Sequence, residues 1–99
     1  GGYNVYPKEV EVALDDMPQV SEPAVIGVLH PDFGEAVVAV IVPVADEVTQ
    51  VQVDAALGDQ LARFKQPKRV MNVTELPRNT MGKVQKNVLR EQYADLFRA

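Results

Sequence analysis

The sequence predicts a small α+β domain, a three-stranded sheet packed by helices and preceded by an N-terminal half-hairpin. Three observations predict it. Ninety-nine residues, 46% hydrophobic and 24% charged, suffice for one modest core and leave no room for a second domain. Two β-branched runs, AVIGVL (24–29) and AVVAVIVPV (36–44), flank a turn-like HPDFGE, as expected of neighbouring antiparallel strands. Apolar residues at helical spacing stand on either side of those runs.

The opening GGYNVYP alternates Tyr3 and Val5 like one half of a hairpin whose partner is missing. A domain rarely starts on an unpaired strand, so the chain is read as a piece of a longer protein. Pro7 suits the first residue of a helix, Glu9 and Glu11 favour its positive end, and Val10, Ala13, Leu14 and Met17 follow i, i+3, i+4, i+7. A helix over 7–16 follows, ending before Pro18. After the two strands, Thr49 and Gln52 form a T-x-x-Q capping box. Val53, Leu57, Leu61 and Phe64 then predict a helix up to Gln66 and Pro67, weakened but unbroken by Gly58. RVMNVTEL (69–76) reads as a third strand, with Val70 and Asn72 on one face and Met71 and Val73 on the other. PRNTMG is a loop, and Leu89, Tyr93, Leu96 and Phe97 mark a final helix from about 85 to 97.

The absence of cysteine rules out disulfides and thiolate metal sites. The longest apolar run falls far short of a membrane span and no basic leader opens the chain, so the expectation is a soluble, cytoplasmic protein with no membrane partner. A net charge of −4 speaks against nucleic acid. That average hides a division. Residues 1–60 carry 11 acids against one base, and residues 61–99 carry 9 bases against 3 acids. The basic part either faces an anionic partner or neutralises the acidic part within the fold; before any motif is considered, the second reading is favoured.

His30 is the sole histidine and Ser21 the sole serine, and neither stands in a nucleophile-and-base arrangement. The pairs Asp15 and Asp16, and Asp46 and Glu47, read as solvated surface. The stretch PRNTMGKVQK (77–86) is different, because Gly82 permits a tight turn and Lys83 projects a long cation at the entry to a helix. Lys86 and Arg90 follow on one helical face. Such a lysine suits a phosphate or a carboxylate developing charge. Without an upstream glycine-rich stretch the Gly-Lys pair is no phosphate-cradling P-loop, and spacing alone leaves it compatible with a solvated loop.

GGYNVYPKEVE, HPDFGE, RFKQPKRV and LPRNTMGKVQKNVLRE together resemble the successive motifs of the C-terminal domain of adenylate-forming enzymes. That superfamily includes acyl-CoA synthetases, luciferase and peptide-synthetase adenylation domains. The first and last stretches are most similar to bacterial malonyl-CoA synthetases. The resemblance implies a two-step ligase reaction: carboxylate and ATP give an acyl-adenylate and pyrophosphate with Mg2+, and the thiol of coenzyme A then displaces AMP. It implies that Lys83 reaches into the site for adenylation, and that Gly1, Gly2 and Tyr3 line the pantetheine channel in the second step. The N-terminal domain of the same enzyme would hold most of the ATP, coenzyme A and Mg2+ contacts, so the piece alone would be inactive. Lys65, Lys68, Arg69, Lys86 and Arg90 are candidate phosphate contacts, each equally compatible with a solvated face. His30, Pro31 and Asp32 match a turn that shapes a loop and binds no metal. The context of Lys83 is similar to lysines switched off by acetylation, which would add an acetyltransferase and a deacetylase as partners. Two rival readings stand beside this one: an adenylation domain that loads a carrier protein, and a non-catalytic α+β interaction module.

Overall fold

In the computed structural model, which describes residues 5–32 and 34–98, the first helix forms where the proline and the apolar spacing place it. This helix, α1 (Pro7–Asp15), has Pro7 in its first turn and buries Val10, Ala13 and Leu14; Met17 just beyond it is buried too. The half-hairpin expected at the start lies, apart from Val5, outside the described residues.

Strands β1 (Val20–His30) and β2 (Gly34–Pro43) pair antiparallel, with an irregularity between Val20 and Glu22. β1 starts earlier than the sequence predicts, and carries Pro23 inside it. That proline is tolerated because β1 is an edge of the sheet, whose order is β1-β2-β3. Successive odd residues of β1 turn their N–H groups the same way, so Pro23 lacks only an outward donor. The next such donor, Val25, is satisfied by Glu11 Oε2 at 2.8 Å. The same carboxylate oxygen takes Lys86 Nζ at 2.7 Å, so one acid on α1 secures the free edge and the start of the last helix.

The capping box at Thr49 and Gln52 is present on both sides, with Gln52 N–H donating to Thr49 Oγ1 and Thr49 N–H to Gln52 Oε1. It starts α2 (Gln50–Leu57), which ends with Gly58 as its C-cap, so the longer helix expected through Gly58 is corrected. Gly58 itself keeps helical angles (φ −56°, ψ −36°), but glycine favours a helix less than alanine does, and the regular helix stops there. Leu61 still reaches the core, but Phe64, counted as part of the helical stripe, is exposed on a 3₁₀ turn at Arg63–Lys65.

β3 (Arg69–Asn72) is shorter than expected and runs parallel to β2, with Arg69 opposite Val38 and Asn72 opposite Ile41. Its faces alternate as predicted: Val70 packs with the α1 and α2 side, Met71 and Val73 with the other. Asn72 completes the first side by accepting from Val48 N–H and donating to Val48 C=O, at 2.8 and 2.9 Å. The last helix, α3 (Lys86–Gln92), is also shorter than expected. It leaves helical angles at Tyr93 (φ −106°, ψ 14°) and continues in turns, from which Leu96 and Phe97 still reach the sheet.

Each sheet face thus has its own core. Val25, Val37, Ala39 and Ile41 meet α1 and α2, while Ala24, Ile26, Val28, Val38 and Val40 meet Leu76 and Leu89. No helix among the described residues is long and apolar enough to cross a membrane.

Candidate functional site

The PRNTMGKV stretch folds as a tight hairpin. Arg78 and Val84 form an isolated antiparallel bridge, and Asn79 N–H donates to Lys83 C=O at 3.0 Å. Gly82 makes the reversal at φ +85°, a left-handed angle that side chains other than glycine adopt only under strain. Its N–H donates to Asn79 C=O at 3.0 Å.

Inside the turn, Asn79 Oδ1 accepts from Met81 N–H at 2.9 Å and from Lys83 N–H at 3.0 Å. Outside it, Arg78 Nη1 donates to Gly82 C=O at 2.6 Å, and the same guanidinium pairs with Glu22 on β1. Gln85 N–H bonds Pro77 C=O at 2.8 Å and closes the base of the hairpin. Val84 rests on the second core, whereas Met81, Gly82 and Lys83 are exposed. A lysine is therefore held out from the surface on a fixed backbone, two residues before the N-cap of α3. Sequence reading missed Asn79. The signal was available, since asparagine at the head of a turn bonds backbone N–H groups two residues on.

The other candidate cations are dispersed. Lys65 Nζ is held by Glu9 at 2.9 Å and lies 4.7 Å from the centre of the Tyr6 ring, which itself meets Phe64 edge-on at 6.4 Å. Lys86 is held by Glu11, and with Arg90 it borders a shallow groove lined also by Val5, Pro7, Gly27 and Glu35. Arg69 stands over the Phe97 ring at 5.5 Å, and Lys68 donates its backbone N–H to Val37 C=O at 2.7 Å. Arg78, Lys65 and Lys86 of the basic part thus pair with Glu22, Glu9 and Glu11 of the acidic part. Mutual neutralisation, the blander reading of the charge division, is what the structure shows for these three.

Register keeps the candidates apart. Glu22, the partner of Arg78, sits opposite Val42, and Arg69 sits opposite Val38; those positions are about 13 Å apart along β2. The Glu22 anchor of the Lys83 hairpin and Arg69 are accordingly offset along the sheet. Gly1, Gly2 and Tyr3 lie outside the described residues. His30 Nδ1 accepts from Asp32 N–H at 3.0 Å and its ring meets Phe97 at 4.9 Å, as befits a turn. No group of three or more His, Asp or Glu among the described residues is placed to hold a metal.

Comparison with known proteins agrees over nearly the whole chain. Long-chain-fatty-acid–CoA ligase FadD13 of Mycobacterium tuberculosis is 46% identical over 94 residues, 95% of this chain and 19% of that protein. ATP-bound MatB from Rhodopseudomonas palustris superimposes with a TM-score of 0.93 at 57% identity, covering 99% of this chain and 20% of that one. The amide bond synthetase McbA from Marinactinospora thermotolerans gives a TM-score of 0.83 at 36% identity, over 92% of this chain and 19% of that one. The chain spans about a fifth of the length of the relatives it matches. With residues 9–83 matching its family pattern, the chain belongs to the AMP-binding enzyme C-terminal domain family.

Proposed function

We propose that this chain is the C-terminal domain of an ATP-dependent acyl-CoA synthetase and supplies the lysine that drives adenylation. The observation that carries the reading is Lys83, exposed at the end of a hairpin whose backbone is fixed by hydrogen bonds. In the first step a carboxylate oxygen attacks the α-phosphorus of ATP, and the bond to the pyrophosphate oxygen breaks. Two anions must approach, and the transition state spreads negative charge over phosphoryl oxygens. A protruding ammonium lowers both costs by position and charge alone. In the second step the coenzyme A sulfur attacks the acyl carbonyl and AMP leaves. Gly1, Gly2 and Tyr3 are proposed to line the path of the pantetheine arm, so one domain would present two faces in turn to a site on the large N-terminal domain. Lys65, Lys68, Arg69 and Lys86 are the proposed phosphate contacts; the ammonium groups of Lys65 and Lys86 rest on Glu9 and Glu11 here and would exchange those partners for phosphate. The exposed Lys83 is also open to acetylation, which would delete the charge the first step uses.

Malonate is the proposed acid, on the likeness of GGYNVYPKEVE and LPRNTMGKVQKNVLRE to malonyl-CoA synthetases. In the full-length enzyme, Lys83→Ala lowers malonate-dependent ATP–pyrophosphate exchange by about 10²–10³-fold and leaves transfer from supplied acyl-adenylate to coenzyme A largely intact. A bulky residue at Gly2 does the reverse. Unchanged exchange in the lysine variant would support the non-catalytic module, and failure to bind free coenzyme A would support the carrier-loading reading.

A further inference from the structure

We propose that Asn79 is a positioning residue for Lys83, acting through the loop backbone; the inference rests on the adenylation reading above. A lysine side chain turns about four bonds, so the protein can fix only the backbone from which it springs. Around Lys83 that backbone has no packing to fix it: Met81 is 90% exposed, and a Cβ built on Gly82 would meet nothing within 4 Å. Hydrogen bonds do the fixing, and four of them converge on Asn79. Its Oδ1 takes the N–H groups of Met81 and Lys83, its N–H goes to Lys83 C=O, and its C=O takes Gly82 N–H. The side chain thus pins both ends of the stretch that contains the glycine, the residue with the greatest freedom to move. Arg78, bonded to Gly82 C=O and Glu22, ties the pinned turn to β1.

Loss of the Asn79 carboxamide returns two exposed N–H groups to water, which costs the fold little. It frees Lys83 to sample positions away from the reacting oxygens, and misplacement by about 1 Å can cost 10²-fold in rate. The test compares Asn79→Ala, Asn79→Asp and Lys83→Ala in the full-length enzyme, measuring ATP–pyrophosphate exchange, transfer from supplied acyl-adenylate and thermal midpoint. Asn79→Ala is expected to lower kcat for exchange roughly ten- to hundredfold, with KM for ATP, the transfer step and the midpoint nearly unchanged. Asn79→Asp keeps an acceptor oxygen at the same place and restores most of the rate. The role is overturned if Asn79→Ala exchanges normally while Lys83→Ala is inactive, if exchange and transfer fall together, or if Asp serves no better than Ala. Normal exchange in Lys83→Ala would instead overturn the adenylation reading, and this role with it.

Discussion

The two faces of the sheet are covered differently. On one, α1 and α2 seal Val25, Val37, Ala39 and Ile41 with fully buried Val10, Leu14, Val53 and Leu57. On the other, Leu76 and Leu89 are the only buried covering residues among those described, and Met71, Val84, Tyr93, Leu96 and Phe97 around them are half-buried. The lightly covered face carries the Lys83 hairpin, rooted there by Val84. Stability and display are thereby separated: the dense face holds the domain together, and the open face lets a short hairpin stand out without a core of its own.

A matched pair of substitutions gives the largest effect and strikes at this contrast directly. Leu57 and Leu89 are both about fully buried, so Leu57→Ala and Leu89→Ala remove the same atoms. Each should cost about 2–5 kcal/mol, the spread reflecting how far the surroundings collapse into the space left. Half-buried neighbours can close around position 89 more readily than the packed residues around 57. Urea unfolding should place Leu57→Ala toward the upper end and Leu89→Ala toward the lower; equal or reversed costs would mean that the two faces are equally rigid.

Asn72 sharpens the account of the dense face. Its amide serves both backbone groups of buried Val48, the residue that leads into α2. Asn72→Ala leaves that N–H and C=O without the partner they have here, which should lower stability by about 1–3 kcal/mol. A loss of only a few tenths in the same urea measurement would show that water reaches Val48, and the face would be less sealed than its burial implies.

What the sequence made legible follows the same division. The start of α1, the capping box of α2 and the alternation along β3 rest on interactions within a few residues, and all three stand in the structure where the residues place them. Helix ends were misread where the decision was not local. Leu61 and Phe64 continue the spacing of α2, yet the regular helix stops at Gly58, so Leu61 reaches the core from a turn and Phe64 meets Tyr6 instead. Leu96 and Phe97 likewise continue the stripe of α3 but reach the second core after the helix has ended. For the candidate site, Lys83 was legible only through the resemblance of several stretches read together. The roles of Glu11, Glu22 and Glu9 as holders of Lys86, Arg78 and Lys65 were not, because each joins residues far apart in sequence.

The smallest predicted effect belongs to Tyr93, one of the half-buried residues of the open face. Burial raises its phenol above the ordinary value of 10.0, because the phenolate loses water that the fold does not replace. A group whose folded pKa is raised holds its proton more tightly in the native state. Its contribution is therefore complete below the unfolded value and fades as pH climbs past about 10 toward the folded value. Wild-type protein should lose more stability between neutral and strongly alkaline pH than Tyr93→Phe, which has no proton to lose. Every other titratable group is common to the two proteins, so the difference between the two urea-midpoint curves isolates the phenol. Parallel curves would mean that the phenolate is as well hydrated at Tyr93 as in the unfolded chain, and that α3 and the turns after it cover the sheet even more lightly than the contrast with α1 and α2 already requires.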